Sequence, residues 1–348
     1  MSVDCLEYTR AERKSTLMLS TPAPLAVVAL GGNAITREGQ GGTYLEMLAN
    51  CQEMAVSVCA LREAGWRVVI THGNGPQVGN LAIQQHAGSA EVPGQPLFAL
   101  GAMTQGLIGH LIQMALLSIH NQQLGPVVGV VTHVIVDRQD EAFDRPSKPI
   151  GPFYSLHEAQ ARSDLTGHPI IEDSGRGYRI IVPSPRPQTV VEGDAISRLS
   201  KDGYLVVAGG GGGIPVVEIG GTLEGIEAVV DKDRSAALLA TYLEADALLL
   251  VTGVECVLAD FGKPTQREIH LADAAQMREY SRQGQFPAGS MGPKVEAALD
   301  FVDATDGYAV ITDASSMASS LGTLGIGVTP GTRIVREILE LPKQGALQ

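Results

Sequence analysis

Two lysines stand at the predicted starts of helices, where a positive side chain is unusual. Lys232 follows Asp231 in the segment VVDKDRSAALLA, and aspartate commonly caps the first turn of a helix. Lys294 follows Pro293 in GSMGPKVEAALDF, and proline is favoured where a helix begins. Because the positive end of a helix dipole repels a lysine unless an anion lies between them, both positions predict a shared anionic ligand. Exposed surface lysines are the alternative interpretation.

Three further side chains are candidates for a role at such a ligand. A carboxylate at Asp233 would keep two ammonium groups charged and oriented in a partly dry site. Lys148, in RPSKPIGPF, could reach the same anion if its segment closes over the site, or it could be a surface lysine. His72 is either a general base or a hydrogen-bonded structural residue in a tight loop. The histidines show no metal-ligand spacing and no Ser/His/Asp elbow is present, so no metal ligand is predicted.

Glycine-containing loops follow four predicted strands: GGN (31–33), HGNG (72–75), GGGGGIP (209–215) and TG (252–253). Glycine lets backbone N–H groups approach an anion closely, and a following helix adds a positive dipole end. Several such loops predict a polyanionic ligand such as the phosphate chain of a nucleotide. Two familiar phosphate motifs are excluded. Pro264 stands where a P-loop needs Ser or Thr, and no frame that starts in 209–211 completes a dinucleotide fingerprint.

The elements that must position these loops alternate between strand and helix. Strands are predicted at 25–30, 67–71, 127–136, 204–210, 247–253 and 308–312, and helices at 45–64, 98–122, 231–243 and 293–302. This alternation predicts an α/β fold with a mainly parallel sheet that is covered by helices on both faces. Ligands of such sheets bind at the carboxyl ends of the strands, where each glycine loop is expected to lie.

One segment, 137–187, interrupts the alternation. It is rich in proline, glycine and charge, and it lies between two apolar strands. A stretch of this length without regular structure is too long for a simple connection. It therefore predicts an inserted lid subdomain, with a decorative surface excursion as the alternative.

Composition limits the class of protein. The chain has 348 residues, which predicts about two domains or one large α/β unit. Its 25 Lys and Arg against 38 Asp and Glu give a net charge of −13, which disfavours a nucleic-acid partner. The sequence contains no run of 18 or more apolar residues, so no membrane span is predicted. The first 20 residues lack the apolar region of a signal peptide. The four cysteines fit neither a disulfide framework nor a CxxC site, so a cytoplasmic location is expected.

Longer strings of the sequence match a known family. VVALGGNAI, THGNGPQVGNL, AMTQGLIGH, KPIGPF, GRGYR, VPSPRP, GGGGIPVV and GSMGPKVEAA resemble the carbamate kinases, a branch of the amino acid kinase family. The resemblance extends from about Leu25 to Arg333, and the strings within 137–187 make it specific. It implies a three-layer αβα sandwich with an open central sheet (the amino acid kinase fold), a homodimer, and reversible phosphoryl transfer between carbamoyl phosphate and ADP that gives ATP and carbamate. The resemblance also implies that the reaction runs toward ATP at the end of arginine or purine-ureide breakdown. Phosphoryl transfer from a nucleotide further leads us to expect Mg²⁺ bound with the ATP or ADP.

The resemblance assigns roles to residues by position. Lys148, Lys232 and Lys294 match the family's phosphate-contacting lysines, and Asp233 matches the aspartate that organises them. Other matched positions lie in loops that hold carbamate and the transferred phosphoryl group (Gly31, Gly32, Asn33, Gly73 and Asn74), in the central loop (Gly210, Gly211 and Gly212), and in the nucleotide pocket (Thr252, Gly253, Val254, Met291 and Gly292).

The expected organisation has three parts: a flexible extension at 1–22, an N-terminal acceptor lobe at 23–220 that includes the lid, and a C-terminal nucleotide-binding lobe at 221–348. The extension is outside the family pattern. Glu255 stands where relatives commonly have Asp, and Gly292 where they often have a bulkier apolar residue, which puts nucleotide preference in question. Two alternatives remain open. One is an amino acid kinase that acts on another small acid, such as acetylglutamate or a phosphonate, and the other is a non-catalytic nucleotide-sensing subunit that docks through its extension.

Overall fold

An eight-stranded sheet forms the middle layer of the molecule. The computed structural model describes residues 23–37, 39–119, 124–173, 175–287, 289–322 and 329–338, so the extension predicted at 1–22 lies outside the described residues. From one edge to the other, the strands are β15 (Leu271–Asp273), β17 (Thr332–Val335), β16 (Tyr308–Asp313), β12 (Ala247–Thr252), β1 (Leu25–Leu30), β2 (Arg67–His72), β9 (Leu205–Val207) and β3 (Val127–Gly129). Neighbours are parallel except for β16 and β17. The predicted mainly parallel sheet is confirmed.

Helices cover both faces of this sheet. All six residues of β1 are buried, and alternate side chains point to opposite faces. Leu25, Val27 and Ala29 belong to one hydrophobic core, and Ala26 and Leu30 to the other. The first core is closed by α6 (Gly193–Lys201), α7 (Lys232–Tyr242), α8 (Ala274–Arg282) and α9 (Met291–Ala304), and the second by α2 (Tyr44–Glu63), α4 (Leu97–Leu117) and α10 (Met317–Ser320). The result is a three-layer αβα sandwich.

Helix α4 is the most apolar of these helices. Among the described residues, it is the one helix long and apolar enough to cross a membrane by length and composition, and half of its most apolar window is buried. Its buried residues Ile108, Leu111, Ile112 and Leu116 belong to the second hydrophobic core. Helix α4 is therefore a core helix of the sandwich.

A second sheet accounts for one wrong prediction. Residues 127–136 were expected to form a single strand, but β3 ends at Gly129 and β4 (His133–Val136) belongs to a different sheet. The break occurs at Thr132, whose backbone N–H and C=O both bond to the side chain of Gln105 on α4. This sheet has the order β11 (Thr222–Gly225), β10 (Ile214–Ile219), β4 and β8 (Pro187–Val190). The lobe boundary predicted at 220/221 falls in the turn between β10 and β11.

The segment 137–187 contains regular structure, although its composition suggested an irregular chain. It forms β5 (Lys148–Tyr154), α5 (Leu156–Thr166), β6 (Ile170–Glu172) and β7 (Tyr178–Val182), and its antiparallel sheet has the order β5-β7-β6. Strand β5 contains Pro149, Gly151 and Pro152, which suggested a loop. Because β5 is an edge strand, a proline there need not donate to the ladder. Closure of this segment as a lid stays a prediction.

Two facing glycines let this inserted sheet dock on α3 (Gly75–Gly88). A Cβ added to Gly79 would lie 2.0 Å from the Cα of Gly151. We therefore expect Gly79→Ala to push β5 away from α3, to lower the free energy of unfolding by about 2 kcal/mol, and to speed proteolysis within 148–182. Gly88→Ala is the matched control, because nothing lies within 4 Å of a Cβ there. Equal protection of the two variants in limited proteolysis would contradict this close docking.

Candidate active site

The four glycine loops lie side by side at one edge of the central sheet. They follow β12, β1, β2 and β9, which are consecutive parallel neighbours in that sheet. A Cβ on Gly73 would lie 2.8 Å from the backbone nitrogen of Gly32 and 3.4 Å from the Cδ of Lys232. The loops after β1 and β2 therefore touch each other and the start of α7. Asn33 lies in a short helix, α1 (Gly32–Ile35), that directly follows Gly31.

The central loop packs against the loop after β2 and against Val230, just before α7, without room for side chains. A Cβ on Gly212 would lie 2.3 Å from the carbonyl oxygen of Val230, and one on Gly211 would lie 2.3 Å from the Nδ2 of Asn74. Gly211 also has a φ of +65°, a conformation that favours glycine. The Asn74 amide is buried and donates to the hydroxyl of Thr104 over 2.8 Å. Backbone groups of this loop can therefore lie close to a ligand at the start of α7.

A buried carboxylate bridges two of the predicted lysines. The Oδ1 of Asp233 accepts from the Nζ of Lys232 at 2.5 Å, and its Oδ2 accepts from the Nζ of Lys294 at 3.0 Å. Asp233 is 3% exposed and Lys232 is 8% exposed. Lys232 begins α7, whereas Lys294 lies in the first turn of α9, so the two helix starts converge. The arrangement expected around Asp233 is therefore observed.

Lys148 is held by a different carboxylate, which the sequence reasoning missed. Its Nζ donates to the Oδ2 of Asp231. The Oδ1 of Asp231 caps α7 by accepting from the backbone N–H of Asp233 at 2.9 Å, as predicted for a capping residue. The cap uses only the Oδ1 of Asp231. The unused Oδ2 was the one feature of the sequence that could have indicated a further partner. The inserted sheet thus contacts the start of α7 through Lys148, which is the first residue of β5.

The charges of the lysine–carboxylate cluster favour the binding of an anion. Burial would raise the pKa of Asp233, but Lys232 and Lys294 outweigh it and lower the pKa below its ordinary value of 3.8. Burial is also the main cause that lowers the pKa of Lys232, with a further contribution from Lys294, while Asp233 opposes both. When all groups are charged, the three lysines exceed the two carboxylates by one positive charge. Such a site favours a negatively charged ligand.

His72 fits the structural interpretation. The side chain is buried, and burial lowers its pKa to about 4. Its Nδ1 lies 3.1 Å from the carbonyl oxygen of Gly73, and a Cβ on Gly210 would lie 2.3 Å from its Nε2. The imidazole is therefore neutral at physiological pH and fills the space that Gly210 leaves open.

A second ion-pair group ties together the helices that present the lysines. The guanidinium of Arg234, next to Asp233 on α7, contacts both oxygens of Glu296 on α9 at 3.2 and 3.1 Å. Glu296 lies two residues after Lys294, and Arg186 reaches Asp300 on the same helix at 2.5 Å. These pairs could not be predicted from the sequence, because only the packing of α7 on α9 brings the residues together.

The residues predicted for the nucleotide pocket lie outside this ion-pair cluster. Thr252 ends β12, the space around a Cβ on Gly253 is open, and Val254 is 43% exposed. Met291 and Gly292 begin α9. The N–H of Gly292 donates to the carbonyl oxygen of Pro287 at 2.9 Å, and a Cβ there would approach the same oxygen to 3.1 Å. A bulkier residue at 292 would therefore require Pro287 to shift.

Fold and site together define an α/β enzyme that handles phosphoryl groups. The sequence profile of the amino acid kinase family matches residues 24–313, and the chain belongs to this family. The chain is 43% identical to the carbamate kinase of Thermococcus kodakarensis, covering 89% of this chain and 99% of that one. It is 45% identical to carbamate kinase 2 of Enterococcus faecalis, and the alignment covers 81% of this chain and 91% of that one.

Solved structures agree with this placement. The carbamate kinase from Giardia lamblia bound to citric acid superimposes with a TM-score of 0.85 at 36% identity, and the superposition covers 90% of this chain and 98% of that one. The same enzyme bound to AMP-PNP gives a TM-score of 0.81 at 37% identity with the same coverage. Within the amino acid kinase family, the chain therefore falls among the carbamate kinases.

Proposed function

We propose that this protein catalyses reversible phosphoryl transfer between carbamoyl phosphate and ADP, giving ATP and carbamate, which decomposes to ammonia and CO₂. The observation that best supports this proposal is the bridge that Asp233 forms between Lys232 and Lys294. The side chain of Lys232 also passes the loops after β1 and β2, because a Cβ on Gly73 would lie 3.4 Å from its Cδ and 2.8 Å from the backbone nitrogen of Gly32. A migrating phosphoryl group needs positive charge and N–H donors in this arrangement.

The mechanism requires positioning and charge stabilisation more than bond-making by the protein. Phosphoryl transfer proceeds with the attacking and leaving oxygens in line, and no covalent enzyme intermediate is needed. Lys232 and Lys294 would neutralise the oxygens of the moving group, while Asp233 holds both ammonium groups in place. Backbone N–H groups of Gly32, Gly210 and Gly211 would orient the two ends, whereas the N–H of Gly73 already donates to the carbonyl oxygen of Leu30.

The nucleotide would occupy the open edge beyond β12. Thr252, Gly253, Val254, Met291 and Gly292 lie at the ends of elements next to the cluster, which supports this part of the proposal. Mg²⁺ would enter as part of the nucleotide substrate. The carboxylates of Asp231 and Asp233 already bind lysines and helix N–H groups, so phosphate oxygens and water would supply most of its ligands.

Lys148 would join the phosphate-contacting groups when the inserted segment moves. It belongs to β5 and now pairs with Asp231, so a phosphate that reaches the cluster would compete with this carboxylate for its ammonium group. This exchange would give the inserted segment the lid role that the sequence predicts.

A homodimer is also part of the proposal. Along α4, the side chains of Met103, Met114 and Leu117 are 44%, 42% and 59% exposed and share one stripe of the helix. Tyr44, which is 45% exposed, contacts His110 on the same stripe. An apolar stripe of this kind is typical of a subunit contact. We also propose a cytoplasmic location and a role in arginine or purine-ureide breakdown.

The decisive experiment measures ATP by luminescence after ADP, Mg²⁺ and carbamoyl phosphate are mixed with the protein. We expect ATP to form, and acetyl phosphate is the control phosphoryl donor. Equal use of acetyl phosphate would indicate another small acid as the natural substrate. Tight ADP binding without turnover would instead indicate a nucleotide-sensing subunit.

The depressed pKa of Lys232 predicts the alkaline limb of the pH profile. Burial lowers the pKa of Lys232 below its ordinary value of 10.5, so its positive charge is lost at a lower pH than for an exposed lysine. We expect kcat/KM for carbamoyl phosphate to fall as the pH rises through this lowered pKa, because kcat/KM reports groups of the free enzyme. In Lys232→Arg the positive charge persists to higher pH. The alkaline limb of the kcat/KM profile should therefore move to higher pH, even if the maximal kcat/KM is lower. An unchanged limb in this variant would assign the titration to another group.

A further inference from the structure

A second cluster, which shares no residue with the lysine–carboxylate cluster, combines a thiol, an imidazole and a carboxylate. Cys256, Glu268 and His270 each present one ligand atom, and these three atoms lie within 4.8 Å of one another. Cys256 directly precedes β13 (Val257–Ala259), and Glu268 lies in β14 (Arg267–Ile269), which His270 directly follows. Nothing in the phosphoryl-transfer proposal uses these side chains.

The register of the two strands explains why the side chains converge. In the antiparallel pair, Val257 is opposite Ile269 and Leu258 is opposite Glu268, so the register continues to Cys256 opposite His270. Side chains two residues apart on a strand share a face, and residues directly opposite each other also share a face. One face of a two-stranded ribbon therefore presents all three ligands.

The ribbon is anchored to the central sheet. The N–H of Val257 donates to the hydroxyl of Thr332 on β17 at 2.7 Å, and the N–H of Arg333 donates to the carbonyl oxygen of His270 at 2.8 Å. Cys256 is 6% exposed, whereas the side chain of Glu268 is 62% exposed. The cluster thus has a fixed inner ligand and an outer ligand that is free to adjust.

The imidazole of His270 lies between two acceptors. Its Nε2 is 2.9 Å from the Oε2 of Glu268, and its Nδ1 is 3.4 Å from the carbonyl oxygen of Gly331. A neutral imidazole has one N–H and can donate to only one of these oxygens. The other nitrogen of a neutral imidazole keeps a lone pair, and such a nitrogen can bind a metal ion.

We propose that Cys256, Glu268 and His270 bind one thiophilic divalent cation of the zinc type. Thiolate, imidazole and carboxylate are the three ligand classes that Zn²⁺ accepts, and a tetrahedral ion would keep its fourth position for water. Ligand atoms of such an ion lie about 3.5 Å apart, so rotation of the exposed Glu268 side chain would close the remaining distance.

Metal binding requires the Cys256 thiolate. Burial, together with the nearby charges of Glu268 and Glu255, raises the pKa of the thiol, while a hydrogen bond from the backbone N–H of Ile269 opposes this rise. The incoming ion therefore displaces the thiol proton, which is released to solvent as the metal–sulfur bond forms. This site is separate from the Mg²⁺ that accompanies the nucleotide, because Mg²⁺ prefers oxygen ligands and water.

Cobalt(II) titration of the full-length protein, first stripped with a chelator, tests the proposal. Co²⁺ occupies zinc-type sites, and a Co–thiolate bond adds a charge-transfer absorption band in the near ultraviolet. We expect one equivalent of Co²⁺ to produce this band. Added Zn²⁺ should displace the bound Co²⁺ and remove the band. Cys256→Ser should abolish the band, while Glu268→Gln and His270→Asn should each weaken Co²⁺ binding by about tenfold or more.

Matched variants separate the cluster from the other thiols. Cys59→Ser removes a buried cysteine of α2, and Cys5→Ser removes one outside the described residues. Both should bind Co²⁺ like the unmodified protein. A band that survives in Cys256→Ser, or binding that is unchanged in both Glu268→Gln and His270→Asn, would overturn the proposal. The absence of any band in the unmodified protein would also overturn it. Because the readout is spectroscopic, failure here leaves phosphoryl transfer untouched.

Discussion

Lys294→Ala is expected to lower the turnover number for ATP formation by about 10²–10³-fold while ADP binding remains. The side chain ends at the Oδ2 of Asp233, where its charge would meet the migrating phosphoryl group. Because this charge acts mainly in the transition state, kcat should fall more than the affinity for ADP. A coupled assay for ATP gives the turnover number, and calorimetric titration gives ADP binding.

Lys201→Ala is the control for loss of a lysine. Lys201 is exposed and ends α6, so its removal should leave turnover within experimental error of the unmodified protein. Near-normal turnover in Lys294→Ala would remove this lysine from the mechanism. Equal losses in the two variants would point to a general effect of charge and not to a role at the cluster.

Asp233→Asn is expected to reduce both stability and turnover. Its carboxylate is buried between two ammonium groups, and removing one partner of a buried ion pair leaves uncompensated charge. We expect the free energy of unfolding to fall by about 3 kcal/mol at neutral pH. Turnover should fall at least as far as in Lys294→Ala, because both Lys232 and Lys294 lose their anchor. Chemical denaturation and the coupled assay measure the two effects.

The pH dependence of this stability loss identifies its cause. The pKa of Asp233 is lowered in the folded protein, so its ionised form contributes stability above the ordinary carboxyl pKa of 3.8. This contribution disappears as the pH falls through the lower, folded-state pKa. The difference in stability between the unmodified protein and Asp233→Asn should therefore shrink in acid. Asp306→Asn, at a fully exposed carboxylate, is the control and should change stability little at any pH. A difference that stays constant into strong acid would argue against the ion-pair explanation.

The central sheet and its glycine loops were predictable because the signals are local. Buried parallel strands appear in the sequence as short apolar runs. Glycine follows a strand where the backbone must turn sharply directly after it. Parallel strands align their carboxyl ends, so the convergence of the loops followed from fold class alone. The capping role of Asp231 was also visible, because a cap depends on the next three residues.

The inserted sheet and the strand break at Thr132 were not predictable from local signals. Proline and glycine in β5 suggested a loop, yet an edge strand tolerates both. The break at Thr132 depends on the side chain of Gln105, which comes from a distant helix. Both outcomes depend on neighbours that the sequence does not place next to the residues concerned.

The amino-acid sequence alone determined the α/β class, the loops that can approach a phosphate, and the two lysines placed at helix starts. These features follow from backbone preferences and from the helix dipole, which act over a few residues. The sequence also indicated that Asp233 pairs with two ammonium groups, but only the tertiary structure decided that Asp231 holds Lys148. The tertiary structure also decided that Cys256 faces Glu268 and His270. Ion pairs and ligand clusters depend on distances of a few ångströms between residues far apart in the chain, and packing and strand register set those distances.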